Sequence, residues 1–309
     1  MKSKIDILIC SYNEAPQIPH LLESLRAQTV AKDKFRIIFV DNASTDNTRE
    51  VVRQAAYDLD LLYVYEGHLG KNWACNKGYE YVLTDYVAHL DADCIANSKW
   101  LERIFSVIEQ EKPDLLGGPY IPYYTVTKPR WFLDSYYSFA LGNQPRYIMS
   151  DEYLNGSNMV WRRSVIERLK GFKTDIGMKG RGFERGDETE LIVRARREIP
   201  NFRVFYDPGI LVSCLVRPEA LSMSYWVRRS FYQARTLHEI VGMPRNAWGI
   251  VPRILGNLIL IAVRLFPGLA LRDRTRYPYP QNYVFECVLP RLRSLGYLCG
   301  CLEHLFQKS

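Results

Sequence analysis

The sequence lacks the motifs of two common classes of ligand-binding protein. No Gly-x-Gly-x-x-Gly follows the first predicted strand, which argues against a dinucleotide-binding fold of the usual kind. Lys and Arg number 41 against 34 for Asp and Glu, so the net charge is only +7. This excess is too small for a dedicated nucleic-acid binder, and no recognised nucleic-acid motif is present. It suits phosphorylated ligands or an anionic membrane surface.

Cysteine is scarce, and its positions do not follow the spacing of a disulfide framework or a metal site. The seven cysteines are odd in number and scattered, mostly within apolar strings. Cys299-Gly300-Cys301 is too closely spaced for a zinc knuckle, and no group of His or Cys partners lies near it in the sequence. The first residues carry no apolar run of a secretion signal. We therefore expect reduced thiols and a cytoplasmic protein.

The composition and periodicity predict a folded α/β protein. The 309 residues are 47% hydrophobic and 13% aromatic, which excludes a disordered chain. Up to about residue 118, buried strands alternate with amphipathic helices, which indicates βαβ units and a mainly parallel sheet. We expect one domain over 1–240, which divides near residue 118 where the regular alternation weakens, and a helical, basic extension over 241–309.

The most informative stretch is the strand Val87–Leu90 and the two carboxylates after it, Asp91 and Asp93. Side chains alternate along a strand, so we expect both carboxylates to point the same way. Paired carboxylates suit Mg²⁺ or Mn²⁺ shared with substrate phosphates. The alternative is an ordinary strand-to-loop turn in which one Asp caps a helix.

Polar residues follow each of three predicted strands. They are Tyr12 to Glu14, Asp41 to Ser44, and Asp91 to Asp93. The carboxyl ends of parallel strands meet at one edge of a sheet, where ligands of open α/β folds bind. We therefore predict a nucleotide site at this edge.

Six segments resemble, in order, the signature motifs of family 2 glycosyltransferases with the GT-A fold. They are Ile9-Cys10-Ser11-Tyr12-Asn13-Glu14, Val40-Asp41-Asn42-Ala43-Ser44-Thr45-Asp46, Ala74-x-Asn76-x-Gly78, Asp91-Ala92-Asp93, Asn155-Gly156-Ser157-Asn158 and Gly186-Asp187-Glu188-x-Glu190-Leu191. The resemblance covers roughly Ile5 to Phe231. It implies an inverting transfer of a sugar from a nucleotide-diphosphate donor, with a UDP-sugar favoured, to a hydroxyl acceptor in polysaccharide or glycolipid synthesis. The implied fold is a mainly parallel sheet flanked by helices. The resemblance makes 1–240 the catalytic domain, with a nucleotide-binding half of about 1–118 and an acceptor half of about 119–240.

The resemblance also implies roles for individual residues. Asp41 would face the nucleobase, Asp91 the ribose, and Asp93 with Asp91 a Mn²⁺ or Mg²⁺ ion. The remaining donor-binding residues would be Ser11, Tyr12, Glu14, Lys71 and Asn76.

The chain departs from the family pattern at two places. The usual Glu-Asp pair of the base motif reads Asp187-Glu188 here, and we favour Glu188 as the base over Asp187 on alignment alone. Family members often carry a histidine in the strand predicted over Ile210–Val216, and this chain does not. The candidates for binding the diphosphate or the acceptor are Asn158, Arg217, Arg228 and Arg229, with a solvated surface arginine as the alternative.

The tail contains the most apolar stretch of the chain. From Val251 to Leu269 apolar residues recur at helical spacing, and Arg272, Arg274 and Arg276 follow. We expect Pro252 and Pro267 to confine this helix to roughly 20 Å, which is too short to span a membrane. An interfacial helix on an anionic membrane would place the protein on the inner face of the membrane and near a lipid-linked acceptor. A helix packed on the catalytic domain or in a homodimer is the alternative.

Three functions account for different numbers of these motifs. A metal-dependent glycosyltransferase acting on a saccharide or lipid-linked acceptor uses all six motifs. A nucleotidyltransferase on a similar sheet would leave Asp187 and Glu188 without a role. An inactive sugar-nucleotide-binding scaffold would not need the Asp91 and Asp93 pair and the base candidates together.

Overall fold

The computed structural model describes residues 4–177, 186–244 and 249–307. The described residues fall into two compact units. The first contains 4–123, 137–177 and 187–215, and the second contains 124–136 and most of the chain after 215. This division does not follow the boundaries expected at residues 118 and 240, which remain predictions.

An eight-stranded sheet forms the centre of the first unit, in the order β3-β2-β1-β4-β9-β6-β10-β8. Its strands are β1 (Ile5–Ser11), β2 (Phe35–Asp41), β3 (Leu61–Tyr65), β4 (Tyr86–Leu90), β6 (Leu115–Gly117), β8 (Arg146–Tyr147), β9 (Asn158–Arg162) and β10 (Val204–Tyr206). Strands β1 to β4 are mutually parallel. Strand β9 lies antiparallel between β4 and β6, and β8 lies antiparallel to β10.

Helices pack on the sheet, and most of them do so through an apolar face. In the first unit they are α1 (Ile18–Arg26), α2 (Thr48–Ala55), α3 (Lys71–Tyr79), α4 (Trp100–Glu111), α5 (Arg163–Leu169) and α6 (Asp187–Glu198). Helix α3 lies especially close to the sheet. A Cβ atom on Gly78 would come within 2.3 Å of a Leu8 methyl group and 3.1 Å of a Val40 methyl group, so the glycine lets the last turn of α3 pack directly on β1 and β2.

A three-stranded sheet, β5 (Cys94–Ala96), β11 (Val212–Leu215) and β7 (Tyr120–Tyr123), completes the first unit. Cys94 lies opposite Cys214 in the antiparallel β5–β11 pair, and a disulfide joins them. The expectation of reduced thiols is therefore wrong for this pair. The two cysteines are 120 positions apart along the chain, so no local spacing pattern indicates their pairing.

The second unit is helical. It contains α7 (Met223–Arg235), α8 (His238–Val241), α9 (Ile250–Val263), α10 (Pro280–Tyr283) and α11 (Leu289–Gln307). Helix α11 packs closely on α7. A Cβ atom on Gly296 would lie 2.2 Å from the Phe231 carbonyl oxygen, and one on Gly300 would lie 1.8 Å from the Arg235 carbonyl oxygen.

The aromatic segment around residue 132 packs within this second unit. The Tyr136 ring stacks on Phe285 at 3.7 Å between centroids. The Asn282 amide donates to the Trp131 carbonyl oxygen at 2.6 Å and to the Tyr136 hydroxyl at 2.8 Å. These rings therefore form part of a packed core.

The tail helix differs from the prediction in its length. Helix α9 continues through a π-helical turn, Arg264–Gly268, so Pro252 and Pro267 do not confine it. Pro252 lies in the first turn, where a helix needs no amide donor, and Pro267 lies in the wider turn. Among the described residues, Ile250–Gly268 is one helix of 19 residues that is long and apolar enough to cross a membrane. The length argument against spanning is therefore wrong.

Candidate active site

The donor-side residues of the first unit lie where β1 and β2 end. Ser11 pairs with Asp41 across the two strands, and both are buried. The Ser11 hydroxyl oxygen has no hydrogen-bond partner among the described residues. Tyr12 and Glu14 follow in the half-buried loop that opens α1. These positions agree with the predicted edge of the sheet.

Asp41 is held by two partners inside the protein. The Ser44 backbone amide donates to its Oδ1 at 3.0 Å, and the Tyr63 hydroxyl donates to its Oδ2 at 2.5 Å. Burial and this acceptor raise the pKa of Tyr63 well above its ordinary value, so Tyr63 stays a donor. Sequence reasoning missed Tyr63, which lies in the middle of the neighbouring strand β3, two residues before the residue that pairs with Asp41.

Asn13 joins the loops after β1 and β2, and sequence reasoning gave it no separate role. Its backbone amide donates to Ser44 Oγ at 2.9 Å, and its Oδ1 accepts from the Thr45 amide at 2.7 Å. Its φ of 55° is left-handed, a conformation that Asn tolerates better than most residues. This bond pair fixes the shape of the loops on either side of Asp41.

Asp91 and Asp93 lie in a turn, since β4 ends at Leu90. The Cys94 amide donates to the Asp91 carbonyl oxygen at 3.0 Å, and the intervening Ala92 is buried. Regular strand pairing ends at Leu90, yet the half-buried, buried, half-buried pattern of 91–93 is the one expected when both carboxylates lie on one side of the chain, and their common direction remains a prediction. Both carboxylates are half-buried.

Lys71, the first residue of α3, connects the two predicted halves of the site. Its Nζ lies 2.9 Å from Asp91 Oδ1 and 3.2 Å from Glu188 Oε1. Burial disfavours the charged ammonium, but the Asp91 and Glu188 charges outweigh burial and raise the pKa of Lys71 well above its ordinary value. The structure thus brings the end of β4 and the start of α6 to one cation.

Glu188 and Asp187 differ in ionisation. Burial alone would raise the pKa of Glu188, but the Lys71 charge and a hydrogen bond from Asp187 lower it to about 2. The pKa of Asp187 is raised well above its ordinary value, first by burial and then by the Glu188 charge. Asp187 is 4% exposed, and its Oδ2 has no hydrogen-bond partner in the described part of the chain. Glu188 is therefore the ionised member of the pair.

Gly156 makes room for the Glu188 carboxylate. A Cβ atom at position 156 would lie 1.8 Å from Glu188 Oε1. Because position 156 has no side chain, the Glu188 carboxylate packs directly against the backbone of the Asn155–Asn158 segment.

Two predicted ligand-binding amides are already used by the protein. Asn158 is fully buried, and its amide accepts from Trp100 Nε1 and donates to the Pro119 and Ile210 carbonyl oxygens. The Asn76 amide donates to and accepts from the Phe172 backbone. Neither amide faces an open site, so the structure does not favour their assignment to donor or acceptor binding.

The three candidate arginines, Arg217, Arg228 and Arg229, belong to the second unit. The Arg229 guanidinium lies 4.9 Å from the centre of the Trp226 ring. Arg228 is exposed on α7, and Arg217 precedes the 3₁₀ turn Pro218–Leu221. Their roles at the diphosphate or acceptor remain predictions.

The carboxylates of the site fit a hard divalent cation. No group of three or more His, Cys, Asp or Glu side chains could hold a metal alone among the described residues. A cation of the Mg²⁺ or Mn²⁺ type needs only one or two carboxylates when substrate phosphates complete its coordination. Asp91 and Asp93 would supply these carboxylates. The Lys71 ammonium beside Asp91 would attract the anionic oxygens of substrate phosphates.

Cavity size does not locate this site. A groove of about 1150 Å³ lies at the other end of the strands, with Tyr86, Lys112 and Arg162 in its lining. Tyr86 begins β4, whereas Asp91 follows its last residue. The charged cluster is therefore the better guide to the chemistry.

Comparisons with known proteins agree with this geometry. The family model described as "Glycosyl transferase family 2" matches residues 6–170. Glycosyltransferase AglE of Haloferax volcanii is 31% identical over 174 residues, which is 56% of this chain and 57% of AglE. The glucosyl-dolichyl phosphate glucuronosyltransferase of the same organism is 26% identical over 240 residues, covering 74% of this chain and 75% of that protein. The chain thus spans little more than half of the first of these relatives.

Two solved structures share the fold. The mannosyltransferase PcManGT from Pyrobaculum calidifontis, in complex with GDP-Man and Mn²⁺, aligns over all of this chain and 89% of its own, with a TM-score of 0.63 and 18% identity. S. aureus TarS 1-349 in complex with UDP-GlcNAc aligns over 98% of this chain and 92% of its own, with a TM-score of 0.56 and 14% identity. Together with the family match, these alignments show that the chain has the GT-A fold and belongs to glycosyl transferase family 2.

Proposed function

We propose that this glycosyltransferase moves a sugar from a nucleotide-diphosphate donor to an acceptor hydroxyl with inversion of the anomeric centre. The observation that supports this most strongly is the Lys71 bridge between Asp91 and Glu188. Asp91 follows the donor-side strand β4, and Glu188 lies in the first turn of α6, the helix with the base motif. One lysine thus brings the donor and base motifs together, and a direct displacement needs both at one site.

On the donor side, Asp41 recognises the nucleobase, with its position set by Tyr63 and Ser44. Ser11, Tyr12 and Glu14 line the same edge of the sheet. We favour a UDP-sugar because UDP is common among the family that the motifs resemble. The two structural neighbours carry GDP-Man and UDP-GlcNAc, so the fold accommodates either nucleotide.

Asp93 and Asp91 would hold the Mn²⁺ or Mg²⁺ ion. Such a cation stabilises the negative charge that grows on the departing diphosphate. Lys71 contributes a fixed positive charge beside Asp91 and orients that carboxylate through its 2.9 Å contact.

On the acceptor side, Glu188 removes the proton from the attacking hydroxyl. A general base must be ionised before the reaction, and the Lys71 charge keeps Glu188 ionised. The same charge weakens the carboxylate as a proton acceptor, since a general base works best with a pKa near the working pH, so the lowered pKa is not itself an argument for catalysis. Asp187 stays protonated beside Glu188 because it is buried. The preference for Glu188 over Asp187 rests on the alignment and on the ionised state of Glu188.

The acceptor is proposed to be a saccharide or lipid-linked hydroxyl at the inner face of a membrane. The Haloferax volcanii glucuronosyltransferase that matches 74% of this chain acts, by its name, on glucosyl-dolichyl phosphate, a lipid-linked sugar. In this chain, helix Ile250–Gly268 exposes Leu255, Ile259 and Phe266 to more than half of their full area. An exposed apolar surface of this extent is typical of contact with lipid or with another protein.

Ligand-dependent stabilisation tests the donor half of the proposal. Nucleotide sugars that bind the folded protein should raise its melting temperature, and the stabilisation grows with the logarithm of ligand concentration above Kd. We expect stabilisation by at least one nucleotide sugar with Mn²⁺ present, and less when EDTA replaces Mn²⁺. No stabilisation by UDP-, GDP- or dTDP-sugars in either condition would contradict the proposal.

A further inference from the structure

A short segment of backbone, residues 171–177, connects the end of α5 to the region before α6, and it is bound to the face of α3. The Asn76 Nδ2 donates to the Phe172 carbonyl oxygen at 2.8 Å, and the Phe172 amide donates to Asn76 Oδ1 at 2.8 Å. Both ends of the Asn76 amide therefore bind the backbone N–H and C=O of one residue, as a neighbouring strand would.

Asn72, one turn earlier on α3, holds the second half of the same segment. Its Nδ2 donates to the Lys173 carbonyl oxygen at 2.7 Å and to the Ile176 carbonyl oxygen at 3.0 Å. Asn72 is 3% exposed, so water does not compete for these bonds. We call Asn72, Asn76 and segment 171–177 the asparagine clamp.

Glycines stand at both ends of the clamped segment. Gly171 has a φ of +76°, and a Cβ there would lie 2.4 Å from Asn76 Oδ1. Gly177 has a φ of +92°, and a Cβ there would lie 2.9 Å from Asn72 Nδ2 and 3.1 Å from Asp187 Cβ. A side chain at either end would add backbone strain and force the segment away from α3. The close approach of the segment to α3 therefore depends on the two asparagines of the helix and on the two glycines of the segment.

The other side of the segment is bound by α6, the helix that carries Glu188. The Arg194 guanidinium donates to the Gly171 carbonyl oxygen at 2.8 Å. The Lys173 ammonium lies 3.0 Å from Glu190 Oε1. The segment thus lies between α3, which begins at Lys71, and α6, which begins at Asp187.

We propose that Asn72 and Asn76 are positioning residues that hold α6 against α3 and so keep Glu188 beside Lys71. The catalytic meaning of this geometry rests on the proposed function, whereas the clamp itself does not. Asn76 would then act on the base through the backbone, and not on the nucleotide as the family resemblance implies. Placement errors of about 1 Å at a reacting group cost about 10²-fold in rate, so loss of the clamp should act on turnover.

The test compares Asn76→Ala and Asn76→Asp with Lys77→Ala, a control on the next residue of α3, which pairs with Glu80 at the surface. Asn76→Asp keeps the acceptor for the Phe172 amide but puts a negatively charged oxygen opposite the Phe172 carbonyl oxygen in place of the donor. Hydrogen exchange of the ligand-free proteins should be at least tenfold faster in both 170–177 and 187–192 for Asn76→Ala and for Asn76→Asp, and unchanged for the control. Affinity for UDP with Mn²⁺ should stay within twofold, while kcat falls at least tenfold at nearly constant donor KM.

The opposite pattern would overturn the inference. If Asn76 binds the nucleotide, affinity for UDP falls at least tenfold and exchange in 187–192 does not change. If Asn76→Ala does not fold, Asn76→Asp carries the comparison, and exchange in 187–192 equal to wild type contradicts the clamp. If the wild-type protein turns over no nucleotide sugar, the proposed function fails, and the exchange data still decide whether the clamp holds α6.

Discussion

At the scale of single residues, the site depends on how three carboxyl groups are arranged around Lys71. Two carboxylates, Asp91 and Glu188, share this cation, and the neighbouring Asp187 is neutral because it is buried. An ionised Asp187 would add a third negative charge with no partner of its own. The pair therefore contains one ionised carboxylate and one neutral one, as in other sites where two acids have different roles.

Removing the predicted metal ligand should abolish metal-dependent donor binding without unfolding the protein. Asp93 is half-buried in a turn, so Asp93→Ala leaves the sheet intact. Calorimetry with UDP and Mn²⁺ should show at least a tenfold loss of affinity, because a divalent cation bound through one or two carboxylates loses a large part of its protein coordination. Asp33→Ala, which changes an exposed carboxylate outside the site, is the matched control. Wild-type affinity in Asp93→Ala would remove Asp93 from the metal site.

The sequence predicted individual site residues only where the motif itself carries the chemistry. Asp41, Asp91 and Glu188 are at or near the predicted edge because each lies at the end of a strand or the start of a helix. Asn158 and Asn76 were assigned by resemblance, yet their amides satisfy backbone groups of segments 39 to 96 residues away. Such partners depend on tertiary packing, which local sequence does not encode.

At the scale of secondary-structure elements, the first half of the sheet was predictable and the second was not. Strands β1 to β4 alternate with helices at short range, so periodicity located them. Strand β9 enters antiparallel between β4 and β6, and no local pattern specifies that insertion. The link between β5 and β11 is likewise non-local, and it includes the Cys94–Cys214 disulfide.

The disulfide gives an element-scale prediction. Denatured, unreduced protein should contain five alkylatable thiols, since the other five cysteines are free. Cys214→Ser should lower the free energy of unfolding by up to about 5 kcal/mol, the chain-entropy value for a closed loop of about this size. Cys299→Ser, a half-buried free cysteine, is the control. Seven alkylatable thiols in oxidised protein would show that the bond does not form.

At the scale of the whole molecule, the exposed helix Ile250–Gly268 makes membrane association a direct question. One side of this helix packs within the second unit, where Ile250 contacts a cluster with Leu298 and Cys301. The other side exposes apolar residues, and Arg272, Arg274 and Arg276 follow it. Apolar burial should supply most of the lipid affinity, with about 1 kcal/mol from each basic residue near an anionic surface.

The full chain should therefore float with anionic liposomes and bind neutral ones less. Ile259→Glu combined with Phe266→Glu should weaken flotation and leave donor-dependent stabilisation unchanged. Leu83→Glu, at an apolar residue 72% exposed in the first unit, is the control. Carbonate extraction would release an interfacial helix and retain a spanning one. A protein that stays in the soluble fraction at low salt as a dimer would assign the helix to a protein interface.

The most direct test of the account is donor turnover by wild type and Glu188→Gln, measured as nucleotide diphosphate released from a panel of UDP-, GDP- and dTDP-sugars with Mn²⁺, with Mg²⁺ or with EDTA. The account predicts metal-dependent release by wild type. It predicts a loss of about 10²-fold or more in Glu188→Gln at nearly unchanged donor affinity, because the substitution keeps the shape and removes the base. Near-wild-type turnover in Glu188→Gln, with a matching loss in Asp187→Asn, would move the base to Asp187. No metal-dependent release from any donor by the wild-type protein would contradict the account.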